Sequence, residues 1–346
     1  MLETQLPRRT FIAGSGLGIG TAMLSSLAQA AETSGPTVAQ AGASGEIWSS
    51  EYWAKKGDVA LNLYRKRLQA PKTGEPPLPV LFLVHGSSNS ARTSFDLTVP
   101  GRGEYSTMNV FARHGFDVWT MDHDGYGRSG SSGNNSDIAS GVADLTAAMD
   151  VVARETGRQS FHFCGTSSGA IRAGAFAMAQ PQRVSRLALG AFTYKGTGAP
   201  TLGRRAERLE YYRTHNRRLR DREMIRSIFT RDGHPAGYDP AVAEALADEE
   251  MKFGDQVPTG TYLDMTANLP LVQPDKVKAP VLLIRGEHDG IATIEDLQEF
   301  YKALPNGDRQ FVTLPEVSHS LGFAKNRHLY WHAVHAFLTM PPGATT

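Results

Sequence analysis

Two short apolar runs restrict the folds open to this chain more than any other feature. Val80-Leu81-Phe82-Leu83-Val84 and Val281-Leu282-Leu283-Ile284, each entered through a proline, are hydrophobic at every position. A strand with one wet face alternates polar and apolar residues. A strand without alternation is covered on both faces, as in the middle of a parallel sheet. Each run ends in a polar, glycine-containing loop, His85-Gly86 and Arg285-Gly286.

The rest of the chain supplies the elements such strands need. Phe116–Met121, Ser160–Cys164, Val184–Leu189 and Arg309–Leu314 read as further strands. Thr107–His114, Ile138–Thr156, Ser168–Ala179, Ile294–Ala303 and Phe323–Leu338 read as helices. This alternation predicts an α/β fold, a mostly parallel sheet with helices on both faces. Glu46–Lys55 and Asp58–Leu68, joined at Lys56-Gly57, read as an antiparallel hairpin. The hairpin makes the sheet mixed. Between Leu189 and Pro280 no strand is evident, and the interval is too long for a crossover. Tyr194–Val277 is expected to form an inserted helical cap, leaving 46–193 and 278–346 as the core.

Residues 1–30 are set aside as a targeting segment. Arg8-Arg9-Thr10-Phe11-Ile12 precedes a glycine-rich, weakly apolar run, and Ala28-Gln29-Ala30 suits a signal-peptidase cut. The segment resembles a Tat export signal, with Pro7 and Ala13 departing from the usual pattern. It implies the Tat machinery as a partner and a periplasmic or secreted mature protein without a stable membrane anchor. Residues 31–45, rich in Ala, Gly, Ser and Thr, read as a flexible lead-in.

Charge and composition exclude several classes. The 36 basic and 35 acidic residues leave a formal net charge of +1, without the basic excess of a nucleic-acid binder. Cys164 is the only cysteine, so neither an internal disulfide nor a thiolate-rich metal site is available. The histidines show no H-x-H or H-E-x-x-H spacing. Neither a metal nor a cofactor is expected.

The chemistry centres on Gly165-Thr166-Ser167-Ser168-Gly169, between a strand-like and a helix-like run. At so tight a turn, side chains at the flanking glycines would clash, and the apical serine exposes its hydroxyl. The N–H of Ser168, opening the helix, can donate to an oxyanion. A serine hydroxyl needs a base. His319, in Glu316-Val317-Ser318-His319-Ser320 after the last strand, can reach back to Ser167. His328, His332 and His335 fall in or beside the closing helix, and His85 and His162 on strands or strand ends. The base needs an orienting carboxylate. Asp289, in Gly286-Glu287-His288-Asp289-Gly290, is the first candidate and Glu287 the second. The loop after Val184–Leu189 holds no acid. A second oxyanion donor is expected from His85-Gly86-Ser87-Ser88, most simply the N–H of Ser87.

With these residues in the order Ser167, Asp289, His319, the chain resembles the α/β-hydrolase superfamily, in the subgroup with a helical cap between strands six and seven. The resemblance runs from residue 46 to 340. Asp122-His123-Asp124-Gly125-Tyr126-Gly127-Arg128-Ser129 is similar to a structural loop of the superfamily, with Asp124 where an arginine usually stands. A serine at the elbow implies hydrolysis through an acyl-enzyme, on a carboxylic ester or lactone. The same triad also serves carbon–carbon bond hydrolases and cofactor-free perhydrolases. A non-catalytic binder would carry a broken triad. The cap's run of arginines, among them Arg204, Arg205, Arg208, Arg213, Arg217, Arg218 and Arg231, reads either as a solvated face or as an attractor for an anionic small-molecule substrate.

Overall fold

The structure is a computed structural model, and it describes residues 45–341. The export-signal and lead-in expectations lie outside the described residues, apart from Gly45. A sheet of eight strands runs through the molecule. The strands are β1 (Ile47–Lys56), β2 (Val59–Leu68), β3 (Val80–Val84), β4 (Asp117–Met121), β5 (Phe161–Thr166), β6 (Val184–Gly190), β9 (Val281–Gly286) and β10 (Arg309–Leu314). Their spatial order is β1-β2-β4-β3-β5-β6-β9-β10. β1, β2 and β4 pair antiparallel, and every other neighbour is parallel. This is the expected mixed, mostly parallel sheet.

The apolar runs occupy the middle of that sheet, and their side chains divide by parity. Val80, Phe82 and Val84 pack on one face with α3 (Ile138–Thr156) and α4 (Ser168–Ala179). Leu81 and Leu83 pack on the other with α2 (Thr107–Arg113) and α11 (Arg327–Leu338). Both faces therefore shed water, at about 1.5–3 kcal/mol per large apolar side chain buried. α3 begins where the Asp137 side chain accepts from the Ser140 N–H at 2.7 Å, and it ends at Gly157 in the left-handed conformation. α10 (Ile294–Ala303) starts on a Thr293 cap.

Three boundaries differ from expectation. The short helix α1 (Ala91–Phe95) was not foreseen. The closing helix begins at Arg327 rather than Phe323, because Ala324 is extended and bridges to Tyr238. The inserted segment is not purely helical. It carries α5 (Pro200–Ala206), α6 (Leu209–Thr214), α7 (Arg222–Ser227), α8 (Pro240–Glu250) and α9 (Gly260–Leu263), plus a two-stranded ribbon of β7 (Arg217–Leu219) and β8 (Gln256–Pro258). Three-residue strands that pair with distant chain have no periodicity to betray them.

This lobe is continuous with the core rather than a separate body. Ile225, Ile228, Val242 and Leu246 join the cluster that contains Leu81 and Leu83. A buried ion pair adds to the attachment. The Glu250 carboxylate meets the Arg220 guanidinium and accepts from the Ser90 N–H at 2.5 Å. Arg220 also donates to the Ser88 carbonyl at 3.2 Å. Among the described residues, no helix is long and apolar enough to cross a membrane.

Candidate active site

The parallel strands end on one edge, where open α/β sheets place their sites. The loops after β3, β5, β9 and β10 meet there. Ser167 caps α4 at φ 57°, ψ −129°, a strained conformation for a residue with a Cβ. Glycine is required on either side of it. A Cβ at Gly165 would collide with the Gly169 carbonyl, and one at Gly169 with the Val84 carbonyl. The turn can be this sharp only because both side chains are missing.

Ser167 Oγ lies 2.9 Å from His319 Nε2, and His319 Nδ1 lies 2.8 Å from Asp289 Oδ1. A carboxylate only accepts, so Nδ1 carries the proton. Nε2 is then the acceptor for the serine hydroxyl. Asp289 Oδ1 also accepts from the N–H groups of Ile291 and Ala292 at 2.9 and 3.0 Å. Burial alone would push this carboxyl up. The charge and hydrogen bond of His319, with the two N–H groups, outweigh burial and hold it below its ordinary value of 3.8. Asp289 is therefore ionised at neutral pH.

The acid and base loops are stitched together. The N–H of Glu287 donates to the Leu314 carbonyl and that of His288 to the Val317 carbonyl, both at 2.9 Å. Glu287, the second candidate acid, turns away and accepts from the Glu316 N–H at 3.1 Å. The rival histidines stand elsewhere. His335 stacks on His114 at 4.1 Å, and His162 bonds Ser185. His85 Nε2 accepts from the His123 N–H at 3.0 Å, so its Nδ1–H donates to the Gly86 carbonyl at 2.8 Å. Burial, with His123 beside it, lowers the His85 pKa well below the usual value, and the ring stays neutral.

The side-chain hydroxyls of Ser87 and Ser168 lie 2.7 Å apart. Their backbone N–H groups meet no protein acceptor among the described residues, which leaves them free to donate to a ligand oxygen. A Cβ on Gly86 would stand 3.0 Å from the Thr166 carbonyl and 3.1 Å from Ser167 Cβ, so glycine lets this loop close on the serine. The lobe reaches the same spot. Thr261 Oγ1 donates to Ser87 Oγ at 2.8 Å, and Tyr262 Oη lies 2.5 Å from Ser88 Oγ. The Asp232 carboxylate accepts from the His319 N–H at 3.2 Å. Sequence reasoning passed over Thr261 and Asp232. Nothing in their spacing links them to Ser167.

Above the serine lies a pocket of about 710 Å³, counting its open mouth. Phe95, Ile228 and Phe323 give it apolar walls, and Arg205 and Arg231 of the lobe face into it. The arginine run thus divides. Arg222 and Arg226 pair with Glu244 and Asp248 on the surface. Arg205 and Arg218 have no carboxylate within 4.0 Å among the described residues; both guanidiniums lie over the Tyr262 ring, at 5.0 and 4.6 Å from its centroid. Arg205 Nη1 and Arg231 Nε are shielded from solvent and make no hydrogen bond in the protein, although Arg231 Nε stands 3.9 Å from Asp232 Oδ1. Burial first, and then Arg231 beside it, brings the Arg205 pKa down to about 10, so its charge persists at neutral pH. The arrangement is suited to attack by a serine on an electrophilic carbonyl.

Comparison with known proteins agrees with this architecture. A 2-hydroxy-6-oxononadienedioate/2-hydroxy-6-oxononatrienedioate hydrolase of Paraburkholderia phymatum is 26% identical over 248 residues, 66% of this chain and 77% of the relative. The enol-lactonase of Burkholderia xenovorans superposes with a TM-score of 0.58 at 18% identity, over 84% of this chain and all of that one. The 2-hydroxy-6-oxo-6-phenylhexa-2,4-dienoate hydrolase of Rhodococcus sp. strain RHA1 does so with a TM-score of 0.56 at 17% identity, over 85% of this chain and all of that one. At such identities the superpositions speak for the fold. The family model described as serine aminopeptidase, S33, matches residues 77–326, and with most of its length inside that match the chain belongs to this family of α/β-hydrolases.

Proposed function

We propose that this hydrolase cleaves a carboxylic ester or lactone through an acyl-enzyme, and that its substrate carries a negative charge. Ser167 Oγ attacks the carbonyl carbon while His319 Nε2 takes the hydroxyl proton. The oxyanion accepts from the N–H groups of Ser87 and Ser168. His319 returns the proton to the departing alkoxide oxygen, and the acyl group stays on Ser167. Water then attacks the acyl carbon and gives its proton to His319, which passes it back to Ser167 Oγ as the acid leaves. Asp289 holds the imidazole in the tautomer that accepts from serine.

The observation that carries the substrate reading is the pair of guanidiniums over the serine. A polar group buried without a partner is destabilising, and more so when charged. On the wall of the reactive pocket Arg205 Nη1 has no partner in the protein, and Arg231 Nε has only the Asp232 carboxylate, 3.9 Å away and outside hydrogen-bond reach. A substrate carboxylate would satisfy them. The test compares an ester bearing a free carboxylate with its neutral methyl-ester counterpart at low and high salt. Preference for the charged substrate, weakened by salt, supports the reading; equal rates at both salt concentrations refute it.

A second reading is hydrolysis of a carbon–carbon bond next to a ketone, and the Paraburkholderia relative favours it, because its name gives a dioate substrate of that kind. A vinylogous 2-hydroxy-6-oxo-dienoate belongs in the same assay. Turnover of that compound with no turnover of esters or lactones would replace the first reading by the second. The export reading also stands as a proposal. Replacing Arg8 and Arg9 with lysine should leave the protein in the cytoplasm, and unchanged export of that variant would remove Tat transport from the picture.

A further inference from the structure

Beside the catalytic loops, three further side chains converge from three separate parts of the chain. His234 belongs to the lobe, His288 to the loop after β9, and Glu316 to the loop after β10. One donor atom of each lies within 4.8 Å of the others. The two imidazoles stack with centroids 4.0 Å apart and planes at 22°. His234 Nε2 stands 3.1 Å from Glu316 Oε2, and a second carboxylate oxygen, Oε2 of Glu287, is 3.8 Å from His288 Nε2. Even so, neither Nε2 atom makes a hydrogen bond, and both are shielded from solvent. The fold has therefore gathered two imidazole nitrogens and two carboxylates and left the nitrogens unbonded.

One divalent cation can serve both nitrogens and the Glu316 carboxylate at once. We propose that His234, His288 and Glu316 form a binding site for a transition-metal ion of the zinc class. Imidazole nitrogen with carboxylate oxygen selects zinc, nickel or copper over magnesium and calcium. Tetrahedral zinc with bonds of about 2.0–2.1 Å places its donors roughly 3.4 Å apart. The 4.8 Å cluster must contract and its rings must splay. The side chains that have to move are free to do so, since those of Glu316 and His288 are 66% and 36% exposed.

The position gives such a site a consequence. His288 directly precedes Asp289, and Glu316 lies in the loop that delivers His319. His234 follows closely on Asp232, whose carboxylate accepts from the His319 N–H. A bound ion would tie the lobe to the two loops that carry Asp289 and His319 without touching the reacting atoms. It would act as a clamp on the lobe rather than as a participant in the reaction. No sequence spacing announces it, because the three ligands come from three loops.

The experiment is calorimetric titration of ZnCl2 into the untagged mature chain after chelator treatment, with MgCl2 as the competing probe. One zinc equivalent per chain and no magnesium binding are expected. His234→Ala and His288→Ala should each weaken zinc binding by at least about tenfold, since even residues behind metal ligands are worth that much. Glu316→Gln should weaken it several-fold. His114→Ala, which disrupts the other stacked histidine pair, should leave it unchanged. Zinc should raise the thermal midpoint of the wild type and not of His234→Ala. Labelling of Ser167 by a serine-directed phosphonate reports that each variant is folded. Absence of zinc binding by the folded wild type, or binding that survives both histidine variants, or binding lost in His114→Ala, would overturn the proposal.

Discussion

At the floor of the pocket one carboxylate, Asp289, is met by three N–H donors. In the lobe above it, Arg205 and Arg218 meet no carboxylate among the described residues and share a tyrosine ring instead. On the floor the charge is held by hydrogen bonds before any ligand arrives: Asp289 Oδ1 accepts from all three donors, while its Oδ2 has no partner in the protein. The lobe is electrostatically open, in that these two guanidiniums have no carboxylate beside them among the described residues. The difference separates two tasks. A site that performs one reaction on many substrates gains from fixed donors at the reacting atoms. A site that chooses among substrates gains from groups that are destabilising until the right partner binds.

The largest effect expected is on the floor. Ser167→Ala should lower kcat by about 10⁶-fold with the circular dichroism spectrum unchanged, because triad members act as a unit. A variant that still turned over at a wild-type rate would remove the nucleophile and with it the floor's half of the comparison. Asp289→Asn should cost about 10⁴-fold, since the amide can present the wrong tautomer of His319 with the geometry intact. If Asp289→Asn were fully active while Glu287→Gln was not, the orienting acid would have to be reassigned.

How much of this was legible in the sequence follows the same division. The floor is made of strand ends, and each strand end is written locally. Val80–Val84 and Val281–Ile284 are unbroken apolar runs, Gly165 and Gly169 bracket the serine, and the loop after β6 lacks an acid. Those local facts single out Ser167, Asp289 and His319, and it is the structure that shows the three within hydrogen-bond reach. The lobe is written in long-range pairings. Arg205 faces inward and Arg222 outward, although both sit in the same basic stretch, because Glu244 and Asp248 on α8 capture Arg222 from across the lobe. The ribbon of Arg217–Leu219 with Gln256–Pro258 and the meeting of His234, His288 and Glu316 likewise depend on contacts between distant segments. A helical stretch of arginines looks the same on either face until its neighbours are known.

The anchor between the two halves comes next in size. Glu250 is fully buried, faces Arg220, and accepts from the Ser90 N–H and hydroxyl at 2.5 and 3.0 Å. Glu250→Ala would leave Arg220 charged, buried and without a carboxylate, at a cost of roughly 3–5 kcal/mol in stability. Chemical denaturation should show the loss as a lower midpoint. A change below about 1 kcal/mol would mean that apolar contacts such as Ile225 and Leu246 hold the lobe without help from the ion pair.

Smaller again is the effect of opening the lobe's charge. Arg205→Ala should raise KM for a carboxylate-bearing ester by about tenfold to a hundredfold, the worth of a hydrogen bond between charged groups at roughly 1.5–3 kcal/mol. The neutral ester should keep its KM, and kcat for both should change little. Equal loss on both substrates would show Arg205 supporting the pocket's shape rather than reading charge.

The smallest effect tests whether the two halves are as separate as the comparison makes them. Tyr262 belongs to the lobe, yet its hydroxyl reaches the loop that carries Ser87, meeting Ser88 Oγ at 2.5 Å. Burial would push this phenol up, but Arg218 and Arg205 outweigh it and hold the pKa below the ordinary tyrosine value. The two hydroxyls share one hydrogen bond, and either can be its donor. Tyr262→Phe keeps the ring beside the arginines and removes only that hydrogen bond, a loss of about 1 kcal/mol, or roughly fivefold in rate. If the bond steadies the oxyanion loop, kcat falls alike for charged and neutral esters, with KM unmoved. If the hydroxyl serves instead to fix the arginines, KM rises for the charged ester alone. The first outcome would mean that the electrostatically open lobe also tunes the floor, through one tyrosine whose acidity is set by the unpaired charges themselves.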